Sequence, residues 1–84
     1  MSLAVLLYTK DECELCDKAV ALFEQLTQHP ELSGKFVLQK VDITQSEALQ
    51  QKYGLSIPVL QRSDTQAELF WPFPASRLRS FLAD

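Results

Sequence analysis

Apolar positions alternate between two periods along the chain, and the changes of period mark the elements. Residues 3–8, Leu-Ala-Val-Leu-Leu-Tyr, form a continuous apolar run of strand length. Such a run suits a strand covered on both faces, as in the middle of an α/β sheet. A polar stretch, residues 9–12, comes next, and then Cys16, Ala19, Val20, Phe23 and Leu26 recur in steps of three and four. Those steps describe one face of a helix. The helix is predicted to start near Cys13 and to fade by His29, because Pro30 disfavours helix at the residue before it.

Residues 36–42, Phe-Val-Leu-Gln-Lys-Val-Asp, have strand composition. Thr44 followed by Glu47 fits a capping box with Thr44 as N-cap. The short helix it opens is predicted to stop at Tyr53, with Gly54 in the left-handed conformation after it. Residues 57–61 read as a strand with Pro58 in second place, 63–66 as a polar turn, and 67–70 as the returning strand of a hairpin. Trp71-Pro72-Phe73-Pro74 is a stiff aromatic connection, and residues 75–82 form a last helix with Leu78, Phe81 and Leu82 inward. The order is β-α-β-α-β-β-α. A helix joins the first two strands, so they should be parallel, and the final hairpin is antiparallel. The fold class is α/β, with a four-stranded mixed sheet carrying helices on its faces.

With 84 residues the chain has room for one domain, residues 1–84, and not for two. No apolar run approaches the roughly 20 residues of a membrane-spanning helix. The run at residues 3–8 has no basic segment before it and Asp11-Glu12 after it, so it reads as a strand rather than a leader. A cytoplasmic location without membrane association is expected. The net charge of −3 comes without a basic cluster, which argues against nucleic acid as a partner. Both cysteines of the chain sit in one short motif. A disulfide-stapled secreted domain would spread more of them along its length, so these two point to chemistry.

Cys13-Glu14-Leu15-Cys16 stands where a strand hands over to a helix. Unpaired N–H groups and the helix dipole present partial positive charge there, which stabilises a thiolate, and the thiolate is the nucleophile. Cys13, at the very start, is the candidate nucleophile. Cys16, one turn later, is the candidate resolving thiol that attacks a mixed disulfide on Cys13. Half of a zinc site is an alternative, but zinc wants about four ligands and the chain adds only His29. Cys16 could also be core filling; Cys13, among Asp11, Glu12 and Glu14, fits that poorly. Ile57-Pro58 is a candidate cis-proline, weak alone and stronger beside the motif. A cis bond would turn the Ile57 N–H and C=O toward the cysteines, open to an extended thiol substrate. Asp11, Glu12, Glu14 and Asp17 outnumber Lys10 and Lys18 around the pair. Their net effect should work against the helix dipole and raise the Cys13 pKa, which predicts a reducing couple. The same acids also read as solvated residues that complement the helix start. Trp71 and Phe73 read as packing residues at the sheet edge, with a groove wall as the alternative.

Residues 8–16, Tyr-Thr-Lys-Asp-Glu-Cys-Glu-Leu-Cys, followed by Ile57-Pro58-Val59-Leu60, resemble the glutaredoxins of the thioredoxin superfamily. Tyr53-Gly54 and then Glu68-Leu69-Phe70-Trp71-Pro72-Phe73 bring the chain closer still to the short glutaredoxin-like proteins of bacteria. The resemblance implies a thioredoxin-like (glutaredoxin-like) fold, a cis Pro58, nucleophilic Cys13 and resolving Cys16. It also implies that Lys10 helps hold glutathione and that the Ile57 backbone pairs with its cysteinyl part. Two positions depart from the glutaredoxin pattern. Glu14-Leu15 replaces Pro-Tyr, and the Gly-Gly pair with a nearby Asp that cradles the γ-glutamyl end is absent from residues 71–76.

The expected function is a thiol–disulfide oxidoreductase that reduces protein or glutathione mixed disulfides through the Cys13/Cys16 couple. The expected substrate-binding residues are Lys10, Ile57 and Pro58. No resident cofactor or metal is expected. Glutathione is a candidate co-substrate, and electrons would come from a thiol or a protein reductase, since no nucleotide or flavin motif is present. The chain is expected to be monomeric. The alternatives are a metal or iron–sulfur carrier using the same two thiolates, with four thiolates shared between two chains, or a redox-inactive interaction domain.

Overall fold

The computed structural model describes residues 2–83. In chain order it contains β1 (Leu3–Thr9), α1 (Glu14–Thr27), β2 (Phe36–Asp42), a 3₁₀ turn (Ile43–Gln45), α2 (Glu47–Tyr53), β3 (Val59–Arg62), β4 (Glu68–Phe70) and α3 (Ala75–Ala83). The four strands form one mixed sheet in the order β2-β1-β3-β4. β1 pairs parallel with β2, from Leu3 opposite Phe36 to Thr9 opposite Asp42. It pairs antiparallel with β3, from Val5 opposite Arg62 to Tyr8 opposite Val59. The β3–β4 hairpin is antiparallel. The apolar run of residues 3–8 is therefore the inner strand its pattern predicts.

Side chains alternate across a strand, so β1 feeds two cores. Val5 and Leu7 point to the face covered by α1 and α3, where they join Phe23, Leu26, Leu60, Leu78, Phe81 and Leu82. Tyr8 points to the other face, covered by α2, and packs with Ile43, Tyr53 and Val59. Arg62 is buried at the end of β3 and ties that strand to α3. Its Nη1 donates to the carbonyls of Phe81 at 2.9 Å and Leu82 at 3.0 Å, and its Nε and Nη2 form a fork on Asp64. The last carbonyls of a helix have no partner within it, and Arg62 supplies one.

Three local expectations differ from the structure. The N-cap of α2 is Ser46, whose Oγ accepts from Leu49 N–H at 3.3 Å, while Thr44 lies in the 3₁₀ turn capped by Asp42. Asp42 draws Thr44 away, taking both its N–H at 2.9 Å and its hydroxyl at 2.6 Å. Gly54 is right-handed, at φ −52° and ψ −33°. Glycine fits there because a Cβ would run into the Gln50 carbonyl oxygen. Strand β3 begins at Val59, after Pro58 rather than through it, because proline has no N–H to give to the ladder.

Candidate active site

The parallel ladder ends at Thr9, and residues 10–13 carry the chain from the rim of the sheet into α1. Glu12 adopts φ 56° in this loop, a left-handed conformation that costs a non-glycine residue about 1 kcal/mol or more. The turn delivers Cys13 as the N-cap of α1, in extended backbone at φ −112° and ψ 101°. Its Sγ accepts from the Cys16 N–H at 3.2 Å, and its carbonyl accepts from the Asp17 N–H at 3.1 Å. The sulfur of Cys13 thus occupies the place that a serine or aspartate oxygen takes at an ordinary helix start. The same N–H and the helix dipole would stabilise negative charge on it after reduction.

Cys13 and Cys16 are joined as a disulfide with Cα atoms 5.2 Å apart, within the usual range. Their environments differ. Cys16 is 2% exposed, on the inner face of α1, whereas Cys13 is half-buried and opens to solvent. An incoming thiol or disulfide can reach Cys13, and Cys16 is accessible only through it.

Cys13 also lines an open cleft of about 280 Å³. It is lined by Thr9 at the end of β1, by Lys10, Asp11 and Glu12 of the loop, by Asp17 of α1, and by Lys40 and Asp42 of β2. Asp42 is held as a carboxylate, its pKa lowered first by the hydroxyl hydrogen bond from Thr44 and then by the Thr44 N–H. Lys10 therefore shares a cleft with Cys13. Ile57 and Pro58 do not line it, because they precede β3 and so lie across β1 from β2.

The Ile57–Pro58 bond is cis, and Pro58 is fully buried. It stands just beyond the Tyr8–Val59 pair, at the end of the sheet where β1 runs out. The Pro58 carbonyl accepts from Trp71 N–H at 3.2 Å. The Ile57 N–H donates to the Tyr53 carbonyl at 3.1 Å. Of the two Ile57 backbone groups expected to receive a substrate, the N–H is thus already engaged, because the tight turn after α2 uses it. Phe73 is buried in the α1/α3 core, and Trp71 packs against that core with its ring edge-on to Phe73 at 5.1 Å. Neither lines the cleft.

Sequence reasoning missed Lys40 and Asp42, which stand far from Cys13 along the chain. The signal was present in the parallel pairing, which sets the end of β2 beside the end of β1. It also missed a second cis bond, Trp71–Pro72, for which the Trp-Pro-Phe-Pro string was the only cue. Among the described residues, no group of three or more His, Cys, Asp or Glu side chains is arranged to hold a metal ion. Among those residues, too, no helix is long and apolar enough to cross a membrane.

A crystal structure of the structural-genomics target protein XcR50 from X. campestris is 40% identical, with 94% of this chain and 95% of that one aligned at a TM-score of 0.76. The solution structure of protein Ne2328 from Nitrosomonas europaea aligns over 96% and 92% of the two chains at 21% identity, with a TM-score of 0.78. The germline-specific thioredoxin Deadhead of Drosophila melanogaster aligns over 98% and 79% at 22% identity and a TM-score of 0.63. The likeness to Deadhead establishes a thioredoxin-like fold. No curated protein sequence matches significantly. The sequence model of the glutaredoxin-like domain (DUF836) matches residues 4–83, nearly the whole chain, and the protein is therefore a member of the glutaredoxin-like family within the thioredoxin superfamily.

Proposed function

We propose that the protein is a thiol–disulfide oxidoreductase that reduces protein or glutathione mixed disulfides. The observation that carries this reading is the contrast between the two sulfurs. Cys13 is solvent-accessible and caps the N-terminus of α1, while Cys16 is buried and bonded to it. In the reducing direction, the Cys13 thiolate attacks one sulfur of the target disulfide. The other sulfur leaves as a thiolate and takes up a proton. The Cys16 thiolate then attacks Cys13, expels the second target sulfur, and closes the Cys13–Cys16 disulfide. Two electrons pass from the pair to the target. A small thiol or a protein reductase restores the dithiol.

Lys10 and the Ile57 carbonyl are the substrate-holding groups in this reading, with Pro58 fixing the turn that carries Ile57. The protein acts in the cytoplasm, as a monomer, without a resident cofactor. Carriage of a metal or an iron–sulfur cluster is the competing function, and it would need ligands from a second chain.

A mass-spectrometric titration across glutathione poises, run on the wild type and on Cys16→Ser, tests the proposal. Reversible loss and gain of two hydrogens in the wild type is expected, with a mixed disulfide trapped on Cys13 in the variant. A cysteine pair that stays reduced at every poise would overturn the assignment.

A further inference from the structure

The loop that presents Cys13 has two flanks. On the β3 side lies the Ile57–Pro58 turn, whose Ile57 N–H is bonded internally to Tyr53. On the β2 side lies the open cleft, which contains Cys13 itself. A disulfide attacked at Cys13 has its substituents within reach of that cleft. The volume of about 280 Å³ suits a small organic group rather than a folded surface.

The charges of the cleft are mixed but unequal. Lys10 and Lys40 are opposed by Asp11, Glu12, Asp17 and Asp42, so four carboxylates line it against two ammonium groups. Asp42 is held as a carboxylate, since Thr44 donates to it twice. A group entering here meets a net negative field, strongest at low ionic strength.

Building on the thiol–disulfide reading above, we propose that the cleft on the β2 side of Cys13 selects disulfides carrying an ammonium group, with Asp17 and Asp42 as the selecting residues and Lys40 as their counterweight. The substrate class is a small aminothiol disulfide. One sulfur is attacked by the Cys13 thiolate, the other leaves as an aminothiol, and Cys16 releases the second aminothiol as the Cys13–Cys16 disulfide forms. Two electrons move from the protein dithiol to the substrate, and the two protons that the dithiol gives up, exchanged through solvent, complete the two released thiols.

The test uses the pre-reduced protein and three probes of similar size: cystamine, hydroxyethyl disulfide and 3,3′-dithiodipropionate. Each second-order rate constant is divided by that of dithiothreitol with the same probe, which removes the intrinsic reactivity of the disulfide. The readout is the normalised ratio of cystamine to dithiodipropionate. Because one thiolate attacks both probes, changes in Cys13 reactivity cancel in this ratio. At about 10 mM salt the ratio should be roughly tenfold, shrinking to about twofold at 0.5 M. Asp17→Asn and Asp42→Asn should each lower it by about threefold, and Lys40→Gln should raise it by a similar factor. Glu14→Gln is the control, since Glu14 adjoins Cys13 in the chain but does not line the cleft. Asp17→Asn carries the test even if Asp42→Asn disturbs the turn that Asp42 caps.

A wild-type ratio at or below one would overturn the inference, as the lysines would then govern the cleft. So would a ratio that ignores Asp17→Asn and Lys40→Gln, or one that Glu14→Gln lowers as much as Asp17→Asn does. Reduction of hydroxyethyl disulfide separates the two levels. Without it the oxidoreductase reading itself fails; with it, and without charge selection, only the cleft assignment does.

Discussion

The two faces of the sheet hold the two halves of the active-site rim, and they do so by different physics. The α1/α3 face is an apolar layer running from Val5 and Leu7 to Phe23, Leu78 and Leu82. It holds α1, and with it Cys13 and Cys16, chiefly by burial. The α2 face is smaller, and polar contacts finish it. Tyr8 and Tyr53 stack with ring centroids 4.2 Å apart, and each hydroxyl reaches back to the sheet, Tyr8 to Gln61 at 2.6 Å and Tyr53 to Glu68. Burial and the nearby Glu68 carboxylate push the Tyr53 hydroxyl pKa well up, so it stays a donor. The Tyr53 carbonyl holds the Ile57 N–H. One face therefore carries the cysteines and the other carries the cis-proline turn. A change on either face should be felt by its own half of the rim.

The largest expected effect tests the apolar face. Leu78 is fully buried between α3 and the sheet. Leu78→Ala should cost about 3 kcal/mol, combining lost transfer energy with a residual cavity. Because this layer is the main core, amide exchange should accelerate throughout β1, α1 and α3 together. If exchange accelerated in α3 alone, the face would not be one cooperative layer.

Arg62 is the polar exception on that same face, and its replacement comes next in size. Arg62→Met keeps much of the volume but leaves the Phe81 and Leu82 carbonyls without their buried donor. A loss of roughly 2 kcal/mol is expected in urea unfolding. A neutral result would mean that water replaces the guanidinium at the end of α3.

The α2 face should respond more locally. Tyr53→Phe leaves the ring stack and removes the donor to the half-buried Glu68. The expected cost is about 1 kcal/mol. α2 has seven residues, too few to be stable without the surface it covers. Faster exchange should therefore be confined to α2 and Ile57, with α1 unaffected. Uniform acceleration would erase the distinction between the faces.

The same contrast governs what could be read from the sequence. The α1/α3 face was legible because burial leaves a periodic trace: Cys16, Ala19, Phe23 and Leu26 fall at helical spacing and are all buried. The Cys-x-x-Cys position at a helix start, and the cis bond before Pro58, followed from the order of elements and the family resemblance. Polar contacts leave no such trace. Nothing in the sequence tells Thr44 from Ser46 as the cap, because that depends on which of them Asp42 engages. The cleft was hidden for a similar reason. Lys40 and Asp42 look like exposed ends of a strand until the β1–β2 register sets Asp42 opposite Thr9. Glu12 is a residue type that gives no warning of φ 56°.

The smallest expected effect is the pH dependence that the Arg62 fork adds to the apolar face. The hydrogen bond from Arg62 is the main cause that lowers the Asp64 pKa to about 2, against an ordinary value of 3.8. A carboxyl whose folded pKa is depressed binds its proton more readily in the unfolded chain, so stability falls as the solution is acidified. The contribution is complete above about pH 4 and is lost as the pH falls through about 2. Asp64 is 42% exposed in this pair, so solvent screens the interaction and the effect should rank below the three substitutions. Urea midpoints between pH 5 and pH 2 measure it. The wild-type midpoint should drop over that interval more steeply than the midpoint of Asp64→Asn, which cannot titrate there. Raising the salt concentration should narrow the difference. Parallel curves for the two proteins would show that the fork positions Arg62 under the α3 carbonyls without contributing stability of its own.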